Sequence, residues 1–149
     1  MEKHTSKELN FDLWSVMNRL NHKILLIRQR ELSQYNIAVQ QLLLLRTIKA
    51  LGSEATVYKI AKTTDREIGV VSRQTALLEK DGLIKRIKAT PKSRRLTIEL
   101  TDKGLNVTKL SRDSKTVDSI FSVVDSEQRH QIHLALNKMF IKAKKYTKA

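Results

Sequence analysis

The sequence contains no cysteine, one proline and four glycines, and aromatic residues make up only 5% of it. Without cysteine there is no disulfide, no cysteine metal cluster or Cys₂His₂ finger, and no thiol redox sensor. Scarce glycine and proline leave little turn material for a fold of many strands. Scarce aromatics leave a core of Leu and Ile, as suits a mostly helical chain of 40% hydrophobic composition. Long apolar runs are missing as well. Leu42 to Leu45 is typical of the longest, and a membrane span needs about 20 residues. The stretch MEKHTSKELNF at the start is polar, unlike a secretory signal. The expectation is a cytoplasmic protein of one domain over residues 1–149, with no membrane partner.

Acidic residues are also in short supply, 15 against 29 Lys and Arg, which leaves a formal net charge of +14. Such an excess points to a polyanionic partner. No Ser/His/Asp set, glycine-rich phosphate loop or paired-carboxylate signature stands out, so neither an enzyme nor a cofactor is expected. His130 and His133 stand at i, i+3 on one helical face. A metal would need further ligands, and His4 and His22 are far away in sequence, so surface histidines are the reading.

What is present is helical periodicity. Leu9, Leu13, Met17, Leu20, Ile24 and Ile27 trace one face of a helix over 8–33, and Phe11, Trp14, Leu25 and Leu26 widen the stripe. A wide stripe near a chain end suits packing on a second subunit or an internal core. A second helix, 38–51, is central by its leucines and ends at Gly52. A short third helix begins at the N-cap candidate Thr56, with Val57, Ile60 and Ala61 inward. After a turn at 64–66, a fourth helix over 67–80 turns Val71, Thr75 and Leu78 inward. A fifth is expected over 102–120, capped by Thr101. A sixth restarts at VDSEQ, where Asp125 and Gln128 resemble a capping box. Its apolar face is Ile132, Leu136, Met139 and Phe140, and its basic tail is expected to fray.

Between the fourth and fifth helices lies GLIKRIKATPKSRRLTIELTDKG. Leu96, Ile98 and Leu100 alternate with Thr97 and Glu99, the period of a half-buried strand. LIKRIKA is β-compatible, and Thr90-Pro91 starts a turn. The stretch is a β-hairpin with a basic tip. Short helices followed by a two-stranded hairpin make a winged helix-turn-helix, mainly α with a small β element. The fourth helix then lies in a major groove while the wing reaches phosphates or the minor groove.

IAKTTDREIGVVSRQTALLEKDGLIKRIKATPKSRRLTIELTDKG resembles the DNA-binding core of MarR-family transcription regulators. The landmarks are Ile60-Ala61, Val71-Ser72-Arg73, Leu78-Glu79-Lys80, Gly82-Leu83-Ile84, Arg86, Arg94, and Leu100-Thr101 with Lys103-Gly104. With its flanking helices the resemblance covers residues 9–146. It implies a winged-helix lobe over 36–101 and a homodimer joined by helices from 8–33 and 102–146. The interface would be Leu9, Leu13, Trp14, Met17, Leu20, Ile120, Phe121, Val124, Ile132, Leu136 and Phe140. The implied function is a sequence-specific repressor that holds palindromic double-stranded DNA.

Two departures matter. The family's wing pairs an Asp with the minor-groove Arg, but Lys92 stands at the Asp position, ahead of Ser93, Arg94 and Arg95. Arg94 loses a tether and gains charged neighbours. The recognition helix leads with Ile68, Gly69 and Val70 where small polar residues are usual. Ile68 and Val70 suit thymine methyls, and Gly69 admits close approach. Polar readout falls to Ser72, Arg73 and Gln74, with Arg73 a candidate for guanine or for a phosphate. Lys88 joins the wing set. Thr56, Tyr58, Lys59 and Lys62 suit backbone phosphates or plain solvated surface, and Arg86 suits an ion pair that sets the hairpin angle. Many relatives bind small anionic or phenolic effectors, for which Trp14, Met17, His22, Tyr35 and Arg46 are candidates. An architectural DNA-binding protein of low specificity and a protein-interaction module are the competing readings.

Overall fold

The computed structural model describes residues 5–147; His4, Lys148 and Ala149 lie outside them. The chain forms two compact units that meet in sequence between Asp113 and Ser114.

The first unit opens with α1 (Ser6–Leu32). Thr5 and Glu8 form a capping box at its start, with the Thr5 N–H donating to the Glu8 carboxylate at 2.6 Å. That bond, and a second from the Thr5 hydroxyl, hold the Glu8 carboxyl below its ordinary pKa. The T-x-x-E signal is in the sequence and moves the helix start two residues ahead of the expected one. A 3₁₀ turn at Ser33–Tyr35 ends in left-handed Asn36 and leads to α2 (Val39–Leu51). Leu42, Leu44, Leu45 and Ile48 of α2 are buried, so this helix is the centre of the core. Gly52 terminates it with φ 54°.

Next come α3 (Val57–Thr64) and α4 (Ile68–Lys80). Thr56 caps α3, its hydroxyl accepting from the Lys59 N–H at 3.1 Å. Asp65 takes the left-handed turn position with φ 55°. Ile60 and Ala61 of α3 and Val71, Thr75 and Leu78 of α4 are buried, on the faces their spacing predicted. β1 (Ile84–Lys88) and β2 (Leu96–Leu100) pair antiparallel, with Ile84 opposite Leu100 and Lys88 opposite Leu96. The Ile98 N–H donates to the Ala55 carbonyl at 2.7 Å, which ties β2 to the segment before α3.

The root of the hairpin is closely joined. Gly82, at φ 72°, ends α4 with Leu83 N–H reaching back to the Leu78 carbonyl at 2.9 Å. Thr101 caps α5 (Asp102–Leu110) by accepting from Gly104 N–H, and its hydroxyl donates to the Gly82 carbonyl at 2.6 Å. Thr101 N–H donates to the Leu83 carbonyl, and Lys103 Nζ to that of Asp81 at 2.8 Å. Gly104 is buried against this strand root, where a Cβ would collide with the Leu83 carbonyl oxygen.

The expected helix over 102–120 is two helices, α5 and α6 (Lys115–Phe121). Its carbonyl chemistry explains the break. Arg28 Nη2 takes the Ser111 carbonyl at 2.7 Å, the acceptor that a continuing helix needs. Ser111 Oγ bonds back to Val107 O, and Ser114 restarts a helix by accepting from Val117 N–H at 3.1 Å.

The second unit holds α6 and α7 (Ser126–Thr147). Asp125 and Gln128 make the expected reciprocal cap, at 2.8 and 3.0 Å. The basic tail, expected to fray, is helical through Thr147. Among the described residues no helix is long and apolar enough to cross a membrane.

Gly104→Ala should lower the urea midpoint of unfolding at unchanged slope, by about 1–3 kcal/mol of stability, the usual penalty for overpacking. A midpoint equal to the parent's would show that the joint has slack.

Candidate nucleic-acid interface

The buried residues Val71, Thr75 and Leu78 fix which side of α4 faces outward. Ile68, Gly69, Ser72 and Arg73 all lie on the exposed side, while Val70 and Gln74 are half-buried at its margin. The Arg73 guanidinium folds along its own helix, 3.8 Å from where a Gly69 Cβ would sit. A Cβ there would make ordinary van der Waals contact with the arginine, so the placement of Arg73 does not require glycine. Gln74 has a partner inside the lobe, its Oε1 accepting from Arg66 Nη1 at 3.1 Å. On α3, Tyr58, Lys59 and Lys62 are exposed, whereas Thr56 is half-buried and occupied by its cap.

The wing tip is a β-turn closed by Ser93 N–H to the Thr90 carbonyl at 2.9 Å, with Pro91 at the position its fixed φ suits. Ser93 Oγ then accepts from Arg95 N–H at 3.2 Å and donates to the Arg95 carbonyl at 3.4 Å. This hydroxyl bridges across Arg94 and orders its backbone, although Lys92 offers no carboxylate to hold its side chain. Arg95 reaches Glu54 at 3.5 Å, an exposed pair of small energetic weight. At the wing's base Arg86 Nε lies 3.1 Å from Glu79 Oε2, and its Nη2 donates to Thr75 Oγ1 at 3.4 Å. The Nε is buried but misaligned for a hydrogen bond to Glu79, so their attraction is Coulombic. Arg86 links hairpin to α4, as the ion-pair reading expected.

These pairs shape the electrostatics of the lobe. Glu54, Glu79 and Glu99 each face a cation: Arg95, Arg86 and Lys85. Among the described residues no ion pair engages Lys59, Lys62, Arg73, Lys88, Lys92 or Arg94. These three carboxylates are matched by cations of the hairpin, and further cations stand on α3, on the outer face of α4 and at the wing tip. Such a surface attracts phosphates. Sequence reasoning missed Glu54 and Arg66; neither lies on a periodic face, and only folding brings their partners to them.

The expected interface residues fall on bare apolar faces. On α1, Leu9, Leu13, Trp14, Met17 and Leu20 are exposed, with Trp14 at 63%. In the second unit Phe121, Ile132, Leu136 and Phe140 are exposed, and Ile120 and Val124 half-buried. The five effector candidates do not gather. Trp14, Met17 and His22 are exposed on α1, Tyr35 lines a small cleft beside Asn36, and Arg46 lines a separate groove. That groove, 650 Å³ between α2 and α5, is bounded by Arg46, Lys49, Ala50, Leu105, Asn106, Thr108, Lys109 and Arg112. It carries four cations and no carboxylate.

Comparison with known proteins agrees with this geometry. Residues 37–97 match the model of the family described as MarR family. No curated protein matches the chain significantly. Among solved structures, the ligand-free organohalide-sensing transcriptional regulator RdhR is 22% identical, with TM-score 0.84, over 99% of this chain and 90% of its own. RdhR has also been solved with 2,4-dichlorophenol bound. The S. aureus MepR–DNA complex is 23% identical at TM-score 0.77, over 94% of this chain and 99% of its own. A mutant of E. coli MarR with operator DNA is 16% identical at TM-score 0.78, over 91% and 99%.

Proposed function

We infer, for a chain whose residues 37–97 match the MarR-family model and whose fold is shared with RdhR and E. coli MarR along almost its whole length, that its work is DNA-binding regulation of transcription and not catalysis. The observation that carries this is the unpaired positive face described above, which joins α3, the outer side of α4 and the wing tip. In this reading the protein is a homodimeric repressor on a palindromic operator. Ile68, Gly69, Val70, Ser72 and Arg73 face the major groove, with Gln74 at the margin. Lys88, Lys92, Ser93, Arg94 and Arg95 engage the minor groove and backbone, and Thr56, Tyr58, Lys59 and Lys62 the flanking phosphates.

A second copy accounts for the apolar faces. The many exposed Leu, Trp, Met, Ile and Phe along α1, and separately along α7, are more than a monomer usually leaves in water. Helices within 8–33 and 102–146 supply that interface. In this reading the two copies present two winged lobes to half-sites that, in a palindrome, lie about one DNA turn apart.

The finer reading includes a small anionic effector, and the groove of Arg46, Lys49, Lys109 and Arg112 supports it. Leu105 and Ala50 add an apolar wall, so an aromatic carboxylate or phenolate matches both features. RdhR, with a phenolic ligand in one of its structures, is a precedent in a related fold. An effector regulates only by favouring one lobe arrangement over another.

Selection of bound sites from random duplexes is the test of the function, and a two-fold symmetric motif is expected. Sequence-independent binding would favour the architectural alternative. On the selected site, Arg73→Ala should flatten preference at one position of each half-site, a discrimination of about 1–3 kcal/mol. Arg94→Ala should weaken binding to every duplex and lower the salt slope by about one unit. The division of labour fails if both variants lose specificity and affinity equally. Leu13→Glu combined with Leu20→Glu should sediment as a monomer and bind the operator about a hundredfold more weakly, since two linked lobes give way to one. A dimer that survives both charges would move the interface elsewhere. Titration with benzoate-type and phenolate anions should raise the melting temperature of the parent but not of an Arg46→Gln/Arg112→Gln variant. Absence of any shift with these anions would remove the groove from the reading.

A further inference from the structure

Arg66 stands in the turn between α3 and α4, outside every set of DNA-facing residues named above. Its backbone N–H donates to the Ala61 carbonyl at 3.0 Å, and its side chain is half-buried. The two ends of the guanidinium serve different helices. Nη1 donates to Gln74 Oε1 on α4, and Nη2 donates to Gln40 Oε1 on α2. The neighbouring Gln41 is bound at both ends of its amide. Its Oε1 accepts from Ala38 N–H at 2.9 Å, and its Nε2 donates to Asp81 Oδ2 at 3.3 Å, just past the end of α4. Two consecutive glutamines in the first turn of α2 therefore hold the recognition helix twice, at its middle through Arg66 and directly at its C-terminal end.

Apolar packing of Val71 and Leu78 holds α4 against the core but is non-directional, and the Arg86 bond to Thr75 is long at 3.4 Å. A planar guanidinium between two amides is directional. Each residue of a helix turns it by about 100°, so a bond to Gln74 fixes the phase at which the adjacent Arg73 and the preceding Ser72, Gly69 and Ile68 are presented. We propose that Arg66, bridged between Gln40 and Gln74, is a positioning residue for base readout: it sets the rotation of the recognition helix and thereby the discrimination between operator and other DNA. The proposal rests on the DNA-binding reading. It assigns Gln74 inward to the clamp, and gives Gln40, which that reading leaves out, a part in specificity.

The test compares the dissociation constants of the full-length protein for its selected duplex and for a scrambled duplex, across a salt series. Arg66→Met should lower the ratio of specific to non-specific binding about tenfold, as expected for one lost charge-assisted hydrogen bond, with the scrambled-duplex affinity and its salt slope nearly unchanged. Arg66→Lys, which keeps the charge and one donor direction, should recover part of the ratio. Gln40→Met, on an exposed side chain away from α4, should reproduce the loss, and the double variant should be no worse than either single one. If Arg66→Met does not fold, as judged by its melting curve, Gln40→Met carries the test alone. An unchanged ratio in Gln40→Met and Arg66→Met overturns the proposal and leaves the DNA-binding reading standing. Equal loss on both duplexes with the slope reduced by about one unit makes Arg66 a phosphate contact, and also overturns it. A parent protein without sequence preference overturns both.

Discussion

Gly104 lies against the Leu83 carbonyl with no space for a side chain, and the other elements of the lobe are arranged around that closeness. Thr101 and Lys103 can reach the carbonyls at the end of α4 because α5 starts so near the root of the wing. Those bonds satisfy the carbonyls of Asp81, Gly82 and Leu83, in the turn just past the helix. The end of the recognition helix, the base of the hairpin and the start of α5 therefore form one joint. Arg86 braces it from the strand side through Glu79 and Thr75. α4 and wing are thereby held in a fixed relation, as the proposed two-element readout of a duplex requires.

The charge distribution follows from the same construction. A chain with 15 acidic residues against 29 basic ones has few carboxylates to place. On the lobe three of them face Arg or Lys partners at the wing or its base. Structural pairing and polyanion attraction are thus one allocation: acids used internally leave cations outside. The wing shows how a missing tether is partly replaced. Ser93 orders the backbone around Arg94 through the N–H and carbonyl of Arg95, a task for which Lys92 has no acceptor. The guanidinium itself is not tied by Lys92, which under the proposed reading suits the tip to following a phosphate more than to reading a base.

Much of this was legible in the residues. Thr56, Thr101 and the Asp125–Gln128 pair cap helices where hydroxyl, carboxylate and amide spacing said they would. Period-two alternation marked β2, and helical spacing marked the inward sides of α3 and α4. What stayed hidden depends on partners remote in sequence. The break after Leu110 needs Arg28, more than eighty residues earlier, to take the Ser111 carbonyl. The bridge from Gln40 through Arg66 to Gln74 joins three segments, none of which carries a pattern of its own. The effector candidates were scattered because aromatic and basic residue types alone say nothing about which helix faces share a groove. The wide stripe on α1 fitted an internal core or a partner equally well, and only the MarR resemblance preferred the partner.

The bare stripe on α1 has a consequence for the cell. Where a second copy covers that surface, as proposed, folding becomes a function of how many copies there are, since association stabilises by mass action. Few molecules leave the stripe in water, open to chaperones and proteases; many protect one another. Under that proposal, dosage would set lifetime as well as occupancy of DNA, and the response to abundance would be steeper than simple proportion before any small molecule is bound.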